Sequence, residues 1–164
     1  MLKIVFAVLT AAILVGGGTA VAQAVTNASG ATVRGLQLYA EGPATVKLGA
    51  PIKITVVLRN TLQQGQFVNY PGWGALDVDV SDDLGRSIPT KNRLLGTVLP
   101  HSHFAAGSER STTVTLQDYV PVTSAGHYTV IFRLKDVRFE SGPRGPEILR
   151  GTIYSNPVHI LVSP

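Results

Sequence analysis

From Val33 onward the apolar residues recur every second position, the period of a half-buried β-strand. In Ile52-Lys53-Ile54-Thr55-Val56-Val57-Leu58-Arg59 the even positions are apolar, which directs Ile52, Ile54, Val56 and Leu58 to a core. Leu76, Val78 and Val80 alternate with Asp77, Asp79 and Ser81; Val114 and Leu116 alternate with Thr113 and Thr115. Tyr128, Val130, Phe132 and Leu134 form the next apolar row, and Val158, Ile160 and Val162 the last. Leu36, Leu38 and Ala40 supply a first strand. Turn-forming clusters separate the runs: Glu41-Gly42-Pro43, Gly49-Ala50-Pro51, Asp82-Asp83-Leu84-Gly85 and Gly142-Pro143-Arg144-Gly145-Pro146. Beyond the first two dozen residues, no segment keeps helical spacing over three turns. About seven one-sided strands predict an all-β chain of antiparallel sheets packed face to face, a β-sandwich.

The start of the chain follows another pattern. Met1-Leu2-Lys3 is a short positive segment, residues 4–15 are almost unbroken apolar sequence, and Gly16-Gly17-Gly18 interrupts any helix. Ala20-Val21-Ala22 and Ala22-Gln23-Ala24 are both small-x-small cleavage motifs, so the layout is that of a secretory leader. The apolar run is short for a bilayer core of ~30 Å, and no membrane span is expected after signal cleavage. The expected organisation is a signal peptide at 1–22, a flexible mature N-terminus at 23–33 and one domain at 34–164. Such a chain is periplasmic or secreted.

With 164 residues the chain has room for one domain. It contains no Cys, so neither a lipid-anchored cysteine nor a disulfide is possible, and the exported domain relies on its apolar core. Removing the leader takes away one of 14 Lys and Arg and none of the 10 Asp and Glu. The mature chain stays mildly basic with interspersed charges, which gives no nucleic-acid stripe.

Ser124-Ala125-Gly126-His127-Tyr128-Thr129-Val130 resembles the Gly-x-Tyr-x-Cys lead-in to the sixth strand of immunoglobulin folds, the tyrosine corner. Val130 stands where antibody domains carry their second Cys. The stretch from Val46 to Val56 looks like the first two strands of bacterial immunoglobulin-like domains, and Ser155-Asn156-Pro157-Val158 like the kink before their last strand. The resemblance spans residues 34–163 and implies an immunoglobulin-like sandwich, with Gly126 and Tyr128 in structural roles. It implies no particular activity, since this fold hosts many. The loops after Asn60 and Glu140 do not match the motifs of immunoglobulin-like cysteine-protease inhibitors.

Chemistry-bearing patterns are few. There is no G-x-S-x-G elbow, H-E-x-x-H, P-loop or G-x-G-x-x-G, and no cofactor is expected. Ser102, His103 and Asp118 are the residue types of a triad, but nothing in their spacing brings them together. His101-Ser102-His103 places two imidazoles on one side of an extended chain, a candidate pair of metal ligands for copper or zinc, with His127 or His159 as a third. Asp77, Asp79, Asp82 and Asp83 fail the EF-hand pattern and read as a solvated face. Residues 67–74 read as a long loop in which Tyr70 and Trp73 either stack on a ligand or close the end of the core. Arg133, Lys135, Arg138, Arg144 and Arg150 lie along the last hairpin among acidic residues, which suggests cross-strand pairs. The sequence-based expectation is a non-enzymatic binding or structural module with a protein or glycan partner. The alternative is a metal-binding protein built on His101 and His103.

Overall fold

The computed structural model describes residues 30, 32–69, 72–91, 102–143 and 145–164. The strands are β1 (Thr32–Val33), β2 (Leu36–Glu41), β3 (Thr45–Lys47), β4 (Lys53–Asn60), β5 (Gln66–Asn69), β6 (Leu76–Asp82), β7 (Ser102–Phe104), β8 (Glu109–Thr115), β9 (Gly126–Glu140), β10 (Glu147–Tyr154) and β11 (Val158–Ser163). Two single 3-10 turns, Trp73–Ala75 and Leu116–Asp118, complete the secondary structure of the described residues. The expected leader and most of the expected mature N-terminus lie outside them. Thr32 and Val33, within that stretch, pair as β1 with Gln37 and Leu36, so the sandwich takes in residues before position 34.

One sheet has the order β1-β2-β4-β8, antiparallel throughout. The other is organised around the 15-residue β9. On one flank β9 pairs with β11 through Gly126–Val130 and then with β10 through Arg133–Glu140. On the other flank it pairs with β6 through Tyr128–Leu134 and then with β5 through Arg138–Glu140. β7 extends this sheet beyond β5, and β3 runs parallel to β11 at its other edge. Thus β2, β4 and β8 occupy the places of strands A, B and E, and β6, β9 and β11 those of C, F and G, in an immunoglobulin-like β-sandwich.

Among the described residues eleven strands stand where about seven were expected. β1, β3, β5 and β7 span only two to four residues, too few to show alternation. The expected inward rows of the longer strands are buried: Ile52, Ile54, Val56 and Leu58, then Leu76, Val78 and Val80, then Tyr128, Val130, Phe132 and Leu134.

β9 changes phase partway. Its buried positions are even up to Leu134 and odd from Val137. Between the paired residues Ile153–Leu134 and Gly151–Val137, β9 has one residue more than β10, and Asp136 there has φ 54°. This bulge places Val137 and Phe139 on the same core face as Leu134.

The chain crosses between sheets after β2. Gly42 sits at the crossing, where an added Cβ would lie 3.0 Å from Val158 Cγ1 and 3.2 Å from Ile54 Cγ1. Only glycine lets the two sheets approach this closely without displacing those side chains. The Asn156 side chain locks the crossing: Nδ2 donates to the Ala40 carbonyl and Oδ1 accepts from the Ala40 N–H.

Candidate functional site

The β4 row of inward side chains ends in a polar one. Asn60 follows Ile54, Val56 and Leu58 at the next inward position and is fully buried. Burying an amide demands partners, and Asn60 has five. Nδ2 donates to the carbonyls of Gln64 (2.9 Å), Phe104 (3.1 Å) and Ala105 (3.0 Å). Oδ1 accepts from the Leu62 N–H at 3.1 Å and from Gln66 Nε2 at 2.9 Å. One side chain therefore fixes the β4–β5 loop against the segment that follows β7.

That loop forms one wall of an open groove of about 470 Å³ at this end of the sandwich. The β1–β2 turn supplies Arg34, the loop supplies Leu62 and Gln64, and the β9–β10 hairpin supplies Phe139, Glu140 and Ile148. Arg34 and Gly35 have φ 46° and 77°, the left-handed pair of a tight two-residue hairpin. An added Cβ at Gly35 would run into Leu62, so turn and loop are in close contact. The lining combines one cation, one carboxylate, amides and apolar carbons on a braced loop. It can hydrogen-bond and pack against a small or extended ligand.

The expected site residues are dispersed. His103 lies on β7 with an exposed side chain, its ring 5.0 Å from that of Phe67 at 46°, and it covers Gly65. His101 lies outside the described residues. His159 is exposed on β11, where Nδ1 lies 3.2 Å from Thr129 Oγ1, and His127 is exposed at the start of β9. Phe67, the partner of His103, is opposite Glu140 at the far end of β9. At ~3.3 Å per residue, roughly 40 Å of strand separates that end from His127. Neither His127 nor His159 can complete a metal site with His103, which corrects that part of the expected ligand set. Among the described residues no three His, Cys, Asp or Glu side chains form a metal-holding group.

Both flanks of the expected long loop at 67–74 are regular structure. Gln66–Asn69 is β5 and Trp73–Ala75 is a 3-10 turn, with Gly72 at φ 74° before it. Trp73 is half-buried and packs against the core cluster. Tyr70 lies outside the described residues. Tyr128 is buried; its hydroxyl donates to the Ser124 carbonyl at 2.8 Å and lies 3.1 Å from Ser124 Oγ. Gly126, two residues earlier, has φ 149°, a conformation open to glycine and costly to other residues.

Three residues of the acidic cluster, Asp77, Asp79 and Asp82, are engaged in pairing. Asp77 receives Arg133 at 2.8 Å and Lys135 at 2.7 Å, and Asp79 receives Arg133 at 3.0 Å. Burial alone would raise the Asp77 carboxyl, but hydrogen bonds from Lys135, Arg133 and the Val78 N–H outweigh it and hold the group below its usual value. Asp82 closes the β6 turn by accepting from the N–H groups of Leu84 and Arg86 and from Arg86 Nε. On the hairpin, Glu147 pairs with Arg138 and Arg150.

No family model matches the chain, and no curated protein matches it. Among solved structures, it is similar to a β-glucosidase from Listeria innocua in complex with isofagomine, at 13% identity and a TM-score of 0.37, covering 79% of this chain and 16% of that one. It is similar to the CARDB domain of a Pyrococcus furiosus protein in complex with di-metal ions, at 14% identity and a TM-score of 0.34, covering 77% and 87%. A β-glucosidase from Erythrobacter marinus gives 11% identity and a TM-score of 0.33, covering 77% and 15%. The chain thus spans about a sixth of the length of the glucosidases.

Asn60 and the groove were not expected from the sequence. The available signal was parity: a polar residue at an inward position straight after three apolar ones.

Proposed function

We propose that the chain is an exported, non-enzymatic binding or structural module of the bacterial envelope that engages a protein or glycan partner through the loops at one end of its sandwich. The observation that carries this reading is the groove braced by Asn60. Asn60 ties the wall loop at Leu62 and Gln64, the start of β5 at Gln66, and the carbonyls of Phe104 and Ala105 to one buried side chain, so a ligand would meet a preorganised surface and little ordering entropy would oppose binding. The leader pattern at 1–22 favours the periplasm or the exterior. Among the described residues no helix is long and apolar enough to cross a membrane. The mixed lining suits a glycan or a short peptide; no metal, cofactor or nucleic acid is part of the reading.

The test is a glycan and peptide array probed with the mature chain, followed by titration of any hit against Leu62→Ala and Arg34→Ala. Loss of binding by at least about tenfold at an unchanged melting temperature supports the groove. Binding indifferent to both substitutions, or turnover of the bound compound, overturns the reading.

A further inference from the structure

Six large apolar residues are well exposed among the described ones, and three belong to β10: Ile148 at 46%, Leu149 at 39% and Tyr154 at 48%. Scattered exposed apolar residues are ordinary, but a concentration on one strand asks for a cover. β10 is also an edge: among the described residues its strand pairing is with β9 alone. In its second half Gly151, Thr152 and Ile153 are covered or partly covered, with Gly151 facing Val33, and only Tyr154 is exposed. The first half, Glu147-Ile148-Leu149-Arg150, is exposed at all four positions.

These four residues are complementary to their own reverse. Ile148 is an extra residue against β9, between the pairs Glu147–Glu140 and Leu149–Phe139, so the contact is one of side chains and not a continued ladder. Turned by a two-fold axis, an antiparallel copy brings its basic end to the acidic end of the first and lays the Ile148-Leu149 pair against itself. A two-fold contact needs this property, because the same patch serves both sides. The other edges among the described residues lack it: β1, β3 and β7 have two or three residues, the seven of β8 are polar except for Val114, and β6, which also pairs with β9 alone, carries acidic residues and no basic one. Within the chain Glu147 pairs with Arg150 at 3.2 Å and with Arg138 at 3.7 Å, all partly exposed side chains, so exchanging the Arg150 contact for the same pair across an interface costs little.

We propose that the first half of β10 is the seam of a symmetric homodimer, in which Glu147 of each copy meets Arg150 of the other. Four strand residues bury less than the ~1,200 Å² of stable complexes, so the association is weak and concentration-dependent. This inference does not rest on the partner reading of the groove, although Ile148 belongs to both surfaces.

Sedimentation equilibrium of the mature chain over a concentration series reaching hundreds of micromolar tests it. A monomer–dimer equilibrium is expected. Glu147→Arg places like charges across the seam and weakens association by about tenfold or more, while Glu147→Arg combined with Arg150→Glu restores it. Leu149→Lys abolishes it, and Leu62→Ala in the groove leaves it unchanged. Circular dichroism melts of each variant separate lost pairing from lost folding. A wild-type chain that stays monomeric throughout overturns the proposal. So does a dimer indifferent to Glu147→Arg, or a folded double variant that fails to recover association.

Discussion

Asn156 reproduces a strand neighbour for Ala40. Its Nδ2 donates to the Ala40 carbonyl at 3.0 Å and its Oδ1 accepts the Ala40 N–H at 2.9 Å, the two bonds a paired residue would make. Ala40 belongs to one sheet and Asn156 to the kink between β10 and β11 of the other, so one amide joins the layers. Beside it, Ser155 Oγ accepts the Phe132 N–H and donates to the Asn156 carbonyl. Replacing Asn156 with Ala leaves two buried backbone groups unpaired, at about 1–3 kcal/mol each. Asn156→Asp keeps the acceptor but turns a second oxygen towards the Ala40 carbonyl, and its loss is expected to be at least as large. Urea denaturation with an unchanged slope checks both.

Tyr128 anchors the start of β9 to the Ser124 carbonyl four residues back. Tyr128→Phe removes that bond while keeping the ring, and the expected loss is about 1 kcal/mol. Tyr128→Ala also opens a cavity in the core, for about 3–5 kcal/mol. Equal denaturation midpoints for wild type and both variants would contradict the anchoring role.

The bulge at Asp136 makes a sharper prediction, because it separates backbone from side chain. Asp136 is exposed and left-handed, a state that Asp tolerates and a β-branched residue does not. Asp136→Gly is expected to stay within about 0.5 kcal/mol of wild type, and Asp136→Val to lose about 1–2 kcal/mol. Similar losses in both variants would point to a side-chain contact in place of backbone geometry.

Asp77 gives a pH dependence of defined sign. Its carboxyl is held below the ordinary value in the folded chain. The folded state therefore gains stability from it above the unfolded pKa of ~3.9, and loses that gain as pH falls through the lower folded value. Asp77→Asn is expected to flatten the acid limb of stability and, because the pairs are partly exposed, to cost no more than about 1 kcal/mol at neutral pH. Denaturation midpoints measured from about pH 6 down to about pH 2 read the difference.

The inward rows could be read from sequence because a strand exposed on one face writes its burial as alternation. Leu36, Leu38, Ala40 and the four residues from Ile52 to Leu58 needed no further information. Tyr128 was legible because its local motif has a fixed geometry. The phase change in β9 was present as the three-residue step from Leu134 to Val137, yet a bulge has no residue type of its own, and Asp at its tip also fits an ordinary exposed position. The groove was illegible for a different reason. Arg34, Leu62 and Ile148 come from three separate hairpins or loops, and only the folded topology makes them neighbours. The metal reading shows the same limit from the other side, since His103 and His127 look combinable along the sequence but lie beside opposite ends of β9.

The parallel alignment of β3 with β11 bears on how the domain would carry mechanical load. Leu161, Val162 and Ser163 lie beside Thr45, Val46 and Lys47, with further bonds from the Leu161 N–H to the Ala44 carbonyl and from the Leu48 N–H to the Ser163 carbonyl. A pull between residues ahead of β3 and residues at the end of β11 drives these strands lengthwise past each other. Their hydrogen bonds then resist together as a shear clamp, where an antiparallel hairpin would open one bond at a time. Force along that axis would be limited by the rate of this one rupture, which sets the lifetime of the domain under tension.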